Sequence, residues 1–159
     1  MSQVAPSVSE SVTQALLEIV PRLNRWAEAS VSRAAGEERL SLRQLSALTM
    51  IESEQTTLGD VARRLMVTPA VVTGLIDRLE RRGYVRRVNS TDDRRRVLLA
   101  LTDEGRAAAE SVSSALREEI ASALSSFSPT ELEQLDRSLA KLAPIANDLE
   151  RSVPETRLS

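Results

Sequence analysis

Almost all the side chains that could do chemistry in this chain are arginines, hydroxyls and carboxylates. Its 159 residues include no Cys and no His, and 20 of the 21 basic side chains are Arg. That composition removes thiolate nucleophiles, the commonest general base and the commonest zinc ligands. Catalysis would fall to Asp, Glu or Lys141, and the sequence has no convergent carboxylate pair, Gly-rich phosphate loop or metal-ligand spacing. The reading is therefore no catalytic residue, no metal, no cofactor and no enzyme. Arginine suits a different task, because its planar fork matches phosphate oxygens and the edge of guanine. Residues 60–96 hold ten Arg against five Asp or Glu, a local charge of +5. The rest of the chain holds eleven basic and eighteen acidic residues, a charge of −7. A net charge of −2 and a pI near 5.4 thus conceal a basic module in an acidic body. Such clustering is the electrostatic footprint of a nucleic-acid reader.

Short elements must position those arginines. Thr57 and Asp60 form a capping box, and Leu58, Val61, Ala62 and Leu65 then mark one buried helical face. Val67 and Thr68 make a turn, with Thr68 as cap and Pro69 in the first helical position of a second helix. There Val72, Leu75, Ile76 and Leu79 form the inner stripe and Gly83 ends the helix. The outer face is left to Ala70, Thr73, Gly74, Asp77, Arg78 and Arg81. Small and hydroxylated residues at its start permit close approach to a major groove, and the arginines reach bases or phosphates. Tyr84-Val85 and the run Val97 to Leu101 predict a hairpin whose tip carries Arg94, Arg95 and Arg96. Together these elements predict a winged helix-turn-helix. Arg81-Arg82 and Arg86-Arg87 read either as phosphate contacts or as a solvated face. Asp77 either orients a neighbouring Arg or sits on that face.

The flanks read as helices. Residues 1–9 are expected to be loose or extended, and 152–159 a flexible tail. Residues 10–40 and 103–151 form a helical dimerisation region around a DNA-binding region at 41–102. Val12, Leu16, Ile19, Leu23, Trp26 and Ser30 recur at heptad-like spacings, with Pro21 expected to kink that helix or restart it. The polar stretch 36–39 is a loop, after which Ser41 and Gln44 form a capping box and Gln55-Thr56 acts as a connector. Beyond the hairpin, Thr102 caps a helix whose buried side is marked by Val112, Leu116, Ile120, Leu124 and Phe127. Ser128-Pro129-Thr130-Glu131 starts another, with a seam of Leu132, Leu135, Leu139, Leu142, Ala146 and Leu149 that Pro144 should bend or end. Two apolar seams on flanking helices suggest that they meet each other or a second copy. Trp26 reads as a core or seam residue, with the wall of a ligand cavity as the alternative. Met50 and Met66 read as core gap-fillers. No apolar run approaches the ~20 residues of a membrane span, and the absence of Cys fits a cytoplasmic protein.

Residues 57–105 resemble the DNA-binding core of the MarR (multiple antibiotic resistance regulator) family of bacterial transcription factors. The likeness is carried by Val71-Val72-Thr73-Gly74-Leu75-Ile76-Asp77-Arg78-Leu79-Glu80-Arg81-Arg82-Gly83-Tyr84-Val85 and by residues 93–105, from Asp93-Arg94-Arg95-Arg96 to Thr102-Asp103-Glu104-Gly105. It extends more weakly, in helix order, from about Val12 to Glu150. The resemblance implies that Arg95 enters a minor groove while Asp93 holds it; Asp92 and Arg94 fit the same Asp-x-Arg pattern. Gly74 departs from the larger, often basic residue that many members carry there. The implied protein is mainly α with a small β-hairpin wing, its terminal helices forming a dimer. Its implied function is that of a homodimeric repressor on a pseudo-palindromic double-stranded operator, released by a small-molecule effector. A winged helix serving as a protein-interaction adaptor is the rival reading, opposed by the +5 module.

Overall fold

The computed structural model describes residues 7–36, 40–53, 55–89 and 96–152. In chain order the elements are α1 (Val8–Ala34), α2 (Leu42–Ser53), α3 (Leu58–Arg64), α4 (Pro69–Arg81), β1 (Val85–Asn89), β2 (Val97–Leu101), α5 (Asp103–Leu124) and α6 (Pro129–Ser152). This is the expected mainly helical chain with one hairpin.

Helix α1 begins earlier than its apolar spacing predicted. Ser7 Oγ accepts the Glu10 N–H at 3.2 Å, and the Glu10 carboxylate accepts the Ser7 N–H at 2.6 Å. This capping box makes residues 8 and 9 helical, where a loose segment was expected. The remainder of that segment, 1–6, lies outside the described residues, as do 37–39 and 153–159. Neither proline ends its helix: Pro21 lies inside α1 and Pro144 inside α6. Both are exposed, so the carbonyl that each leaves without a donor, on Leu17 or Ala140, faces solvent that can satisfy it.

The core lies at the centre of the chain. Val72, Leu75, Ile76 and Leu79 of α4 are all buried, with Val61 and Ala62 of α3 and Leu45, Ala47, Leu48 and Ile51 of α2. Strands β1 and β2 pair antiparallel, from Val85 opposite Leu101 to Asn89 opposite Val97. Thr56, expected to be mere connector, adds a bridge to this hairpin: its carbonyl accepts the Leu99 N–H at 2.8 Å. Gly83 has φ +75° and ends α4, its N–H reaching the Glu80 carbonyl at 2.9 Å while the Tyr84 N–H reaches that of Leu79 at 3.0 Å. Helix α5 then starts hard against this turn. The Thr102 N–H donates to the Tyr84 carbonyl at 3.1 Å, and a Cβ on Gly105 would lie 2.8 Å from the Tyr84 carbonyl carbon.

Two side-chain clusters tie α5 to α2 and to α1. Arg106 of α5 pairs with Glu52 of α2 at 2.5 Å. Glu119 of α5 accepts from three residues of α1: Trp26 Nε1 at 3.1 Å, Ser30 Oγ at 2.7 Å and Arg33 Nη2 at 3.1 Å. Hydrogen bonds, that from Ser30 foremost, hold the Glu119 carboxyl below its ordinary range.

Away from that region the chain does not cover its own apolar seams. Helix α6 has no buried residue, and Leu139 and Leu149 are 54% and 64% exposed. On α1, Val12, Leu16, Ile19 and Leu23 are exposed. On α5 only Val112 of the expected buried side is buried; Leu116 and Leu124 are half-buried and Ile120 is exposed, as is Phe127 in the turn beyond the helix. The spacing had correctly marked apolar faces, but among the described residues these faces stay largely exposed.

Candidate nucleic-acid interface

The interface is organised by the start of α4. Thr68 Oγ1 accepts the Val71 N–H at 3.1 Å, and Pro69 takes the first position, where a missing N–H costs nothing. With the four apolar residues turned inward, Pro69, Ala70, Thr73, Arg78 and Arg81 are exposed, and Thr68, Gly74 and Asp77 half-buried. The Thr73 hydroxyl donates to the Pro69 carbonyl at 2.9 Å and keeps its lone pairs for an incoming donor. Gly74 leaves space beneath Arg78, whose Nη1 would be 3.9 Å from an added Cβ.

The turn before α4 holds a surprise. Met66, read as a core gap-filler, is 56% exposed and has φ +50°. It sits where α3 must reverse, its N–H bonded to the Arg63 carbonyl and the Val67 N–H to that of Ala62. A glycine would be the usual residue there. Met50, by contrast, is half-buried.

Asp77 pairs with a residue of the hairpin. Arg87 of β1 reaches Asp77 Oδ1 at 2.7 Å and Glu80 Oε2 at 2.8 Å, tying α4 to the wing. The hydrogen bond with Asp77 is the main cause of the raised Arg87 pKa, which burial opposes. Both Arg86 and Arg87 are exposed, but Arg87 is engaged by carboxylates. At the start of α3 the Thr57–Asp60 box forms as expected, and its hydrogen bonds, the Thr57 hydroxyl first, hold the Asp60 carboxyl below its ordinary range. Arg96 adds positive charge to the same neighbourhood and is exposed. Asp92, Asp93, Arg94 and Arg95 lie outside the described residues. The sequence allowed Asp77 to orient an Arg but did not identify Arg87 as that partner, because Asp77 and Glu80 lie ten and seven residues from it, across a helix-to-strand turn with no local signature.

Residues 40–97 match the family model described as MarR family. Among curated proteins, the HTH-type transcriptional repressor MdtR of Bacillus subtilis is 36% identical over 94 residues, 59% of this chain and 61% of MdtR. The matched segment spans about half to three-fifths of the first curated relatives. Among solved structures, RV1404 from Mycobacterium tuberculosis aligns with a TM-score of 0.74 at 26% identity, covering 90% of this chain and 97% of that one. FabT of Streptococcus pneumoniae, solved in complex with DNA, aligns with a TM-score of 0.72 at 26% identity, covering 89% and 99%. Residues 40–97 thus match the MarR family model, and the chain shares the winged-helix fold of these solved structures.

Proposed function

We propose that the chain is a homodimeric, sequence-specific double-stranded DNA-binding regulator of transcription, a cytoplasmic repressor released by a small-molecule ligand. The observation that carries this reading is the exposed face of α4, with Thr73, Arg78 and Arg81 beside a paired hairpin. FabT's DNA complex on the same fold supports it. Each subunit inserts α4 into a major groove, where Thr73 and Arg78 meet base edges, and Arg95, held by Asp93, into the adjacent minor groove. Two-fold symmetry then calls for a pseudo-palindromic operator with half-sites about 10 bp apart. The uncovered seams of α1 and α6 supply the dimer contact. A ligand seated between the dimer helices and the DNA-binding region, with Trp26 of α1 in its wall, acts by favouring one spacing of the recognition helices over another.

The test is log K against log salt on duplex DNA. Binding should weaken steeply with salt, and Arg95→Ala should flatten the slope by about one phosphate equivalent. A chain without measurable affinity for any duplex at low salt would be an adaptor instead.

A further inference from the structure

Between the start of α2 and the last turns of α4 lies an open basin of about 550 Å³, lined by Ser41, Gln44, Arg78, Arg81 and Arg82. We propose that this basin seats one phosphate of the DNA backbone, with the Gln44 amide as its buried donor. The proposal rests on the DNA-binding reading above and assigns a second kind of contact to the α2 end of the site.

Three observations converge. First, Gln44 is only 7% exposed, and its Oε1 accepts the Ser41 N–H at 2.9 Å. Because that N–H is a donor, the carboxamide oxygen must face it and the NH2 group must face away. No partner for that nitrogen occurs among the described residues, yet it is not sealed from solvent, since no buried side-chain N or O atom lacks a partner. Gln44 therefore presents an unpaired donor to the basin it lines. Second, the basin adjoins the first turn of the 12-residue α2, where unpaired backbone N–H groups favour an anion. Third, the cations around it are uncompensated. Among the described residues none of Arg78, Arg81 and Arg82 forms an ion pair, because the acids of the same helix, Asp77 and Glu80, are taken by Arg87. Arg81 turns its Nε onto the Asp77 carbonyl, and Arg82 lies over the Tyr84 ring, which steadies both without neutralising either.

The open shape selects the source of the anion. A small anionic ligand binds where most of its surface is covered. A phosphodiester on a duplex needs an open mouth, and here the mouth is continuous with Arg78 and Arg81 on the outward face of α4.

The experiment uses Gln44→Glu, which keeps the capping box and replaces the donor with a carboxylate. Its melting temperature is measured beside that of the wild type, and both proteins are titrated with duplexes carrying one uncharged methylphosphonate at successive backbone positions. Expected is a wild-type protein that loses about tenfold at one position per half-site. Gln44→Glu, still folded, should bind the native duplex at least tenfold more weakly and lose nothing further at that position. Equal binding by the two proteins, or unchanged sensitivity to the neutralised phosphate, would overturn the proposal. So would competition by millimolar inorganic phosphate that Gln44→Glu abolishes without any methylphosphonate position mattering, since the basin would then serve free oxyanions. A wild type that binds no duplex at all would instead refute the DNA-binding reading.

Discussion

The middle of this chain and its two ends are built on opposite terms. From α2 to the start of α5 the apolar positions are spent inward, with Leu48, Ile76, Leu79, Val61 and Val72 fully buried. Along α1 and α6 the same periodicity leads outward, and α6 buries nothing. A stretch that buries its own stripe has its shape fixed from within, so its outward residues are free for a ligand. A stretch that exposes its stripe is specified by something outside the chain. Exposed apolar faces of this extent mark interaction surfaces.

The contrast is broken most sharply by charging the outer seam. Replacing Leu135 and Leu139 together with Asp should leave the centre folded but give a monomer in light scattering, with operator affinity down by about 100-fold or more through lost bivalency. A variant that stayed dimeric would place the interface on other residues. Next in size is the joint between the regions. Gly105→Ala drives a methyl into the Tyr84 backbone, where no flexible side chain can yield. Urea denaturation should show a loss of about 3 kcal/mol; a loss below ~0.5 kcal/mol would mean that α5 can shift away from the turn. Smallest, and opposite in sign, is Met66→Gly. Relief of the positive φ at an exposed site should raise stability by about 1 kcal/mol in the same assay. No gain would mean that the Met66 side chain contributes as much as its backbone strain costs.

The same contrast explains what the sequence made legible. Capping boxes at Thr57 and Ser41, the Thr68-Pro69 start and Gly83 were readable because each is a local hydrogen-bond or dihedral requirement. The α4 stripe was readable because four apolar residues fall on one helical face. Thr56 was not, since a single bridging residue has no period, and the Arg87 tie joins elements that only the fold brings together. Pro21 and Pro144 do not end their helices, because the cost of each depends on which way the freed carbonyl faces, which the sequence does not state. The seams of α1 and α6 were correctly marked as apolar, but periodicity does not say whether the covering surface belongs to the same chain.

The central claim is that the outward face of α4 reads DNA sequence. Affinity of Arg78→Ala and wild type for the operator and for a scrambled duplex, at matched salt, tests it most directly. The account predicts that Arg78→Ala loses about tenfold or more on the operator beyond its loss on the scrambled duplex, as expected for about 1–3 kcal/mol of base discrimination. Equal losses on the two duplexes would make Arg78 a phosphate contact only, and no loss on either would contradict the account.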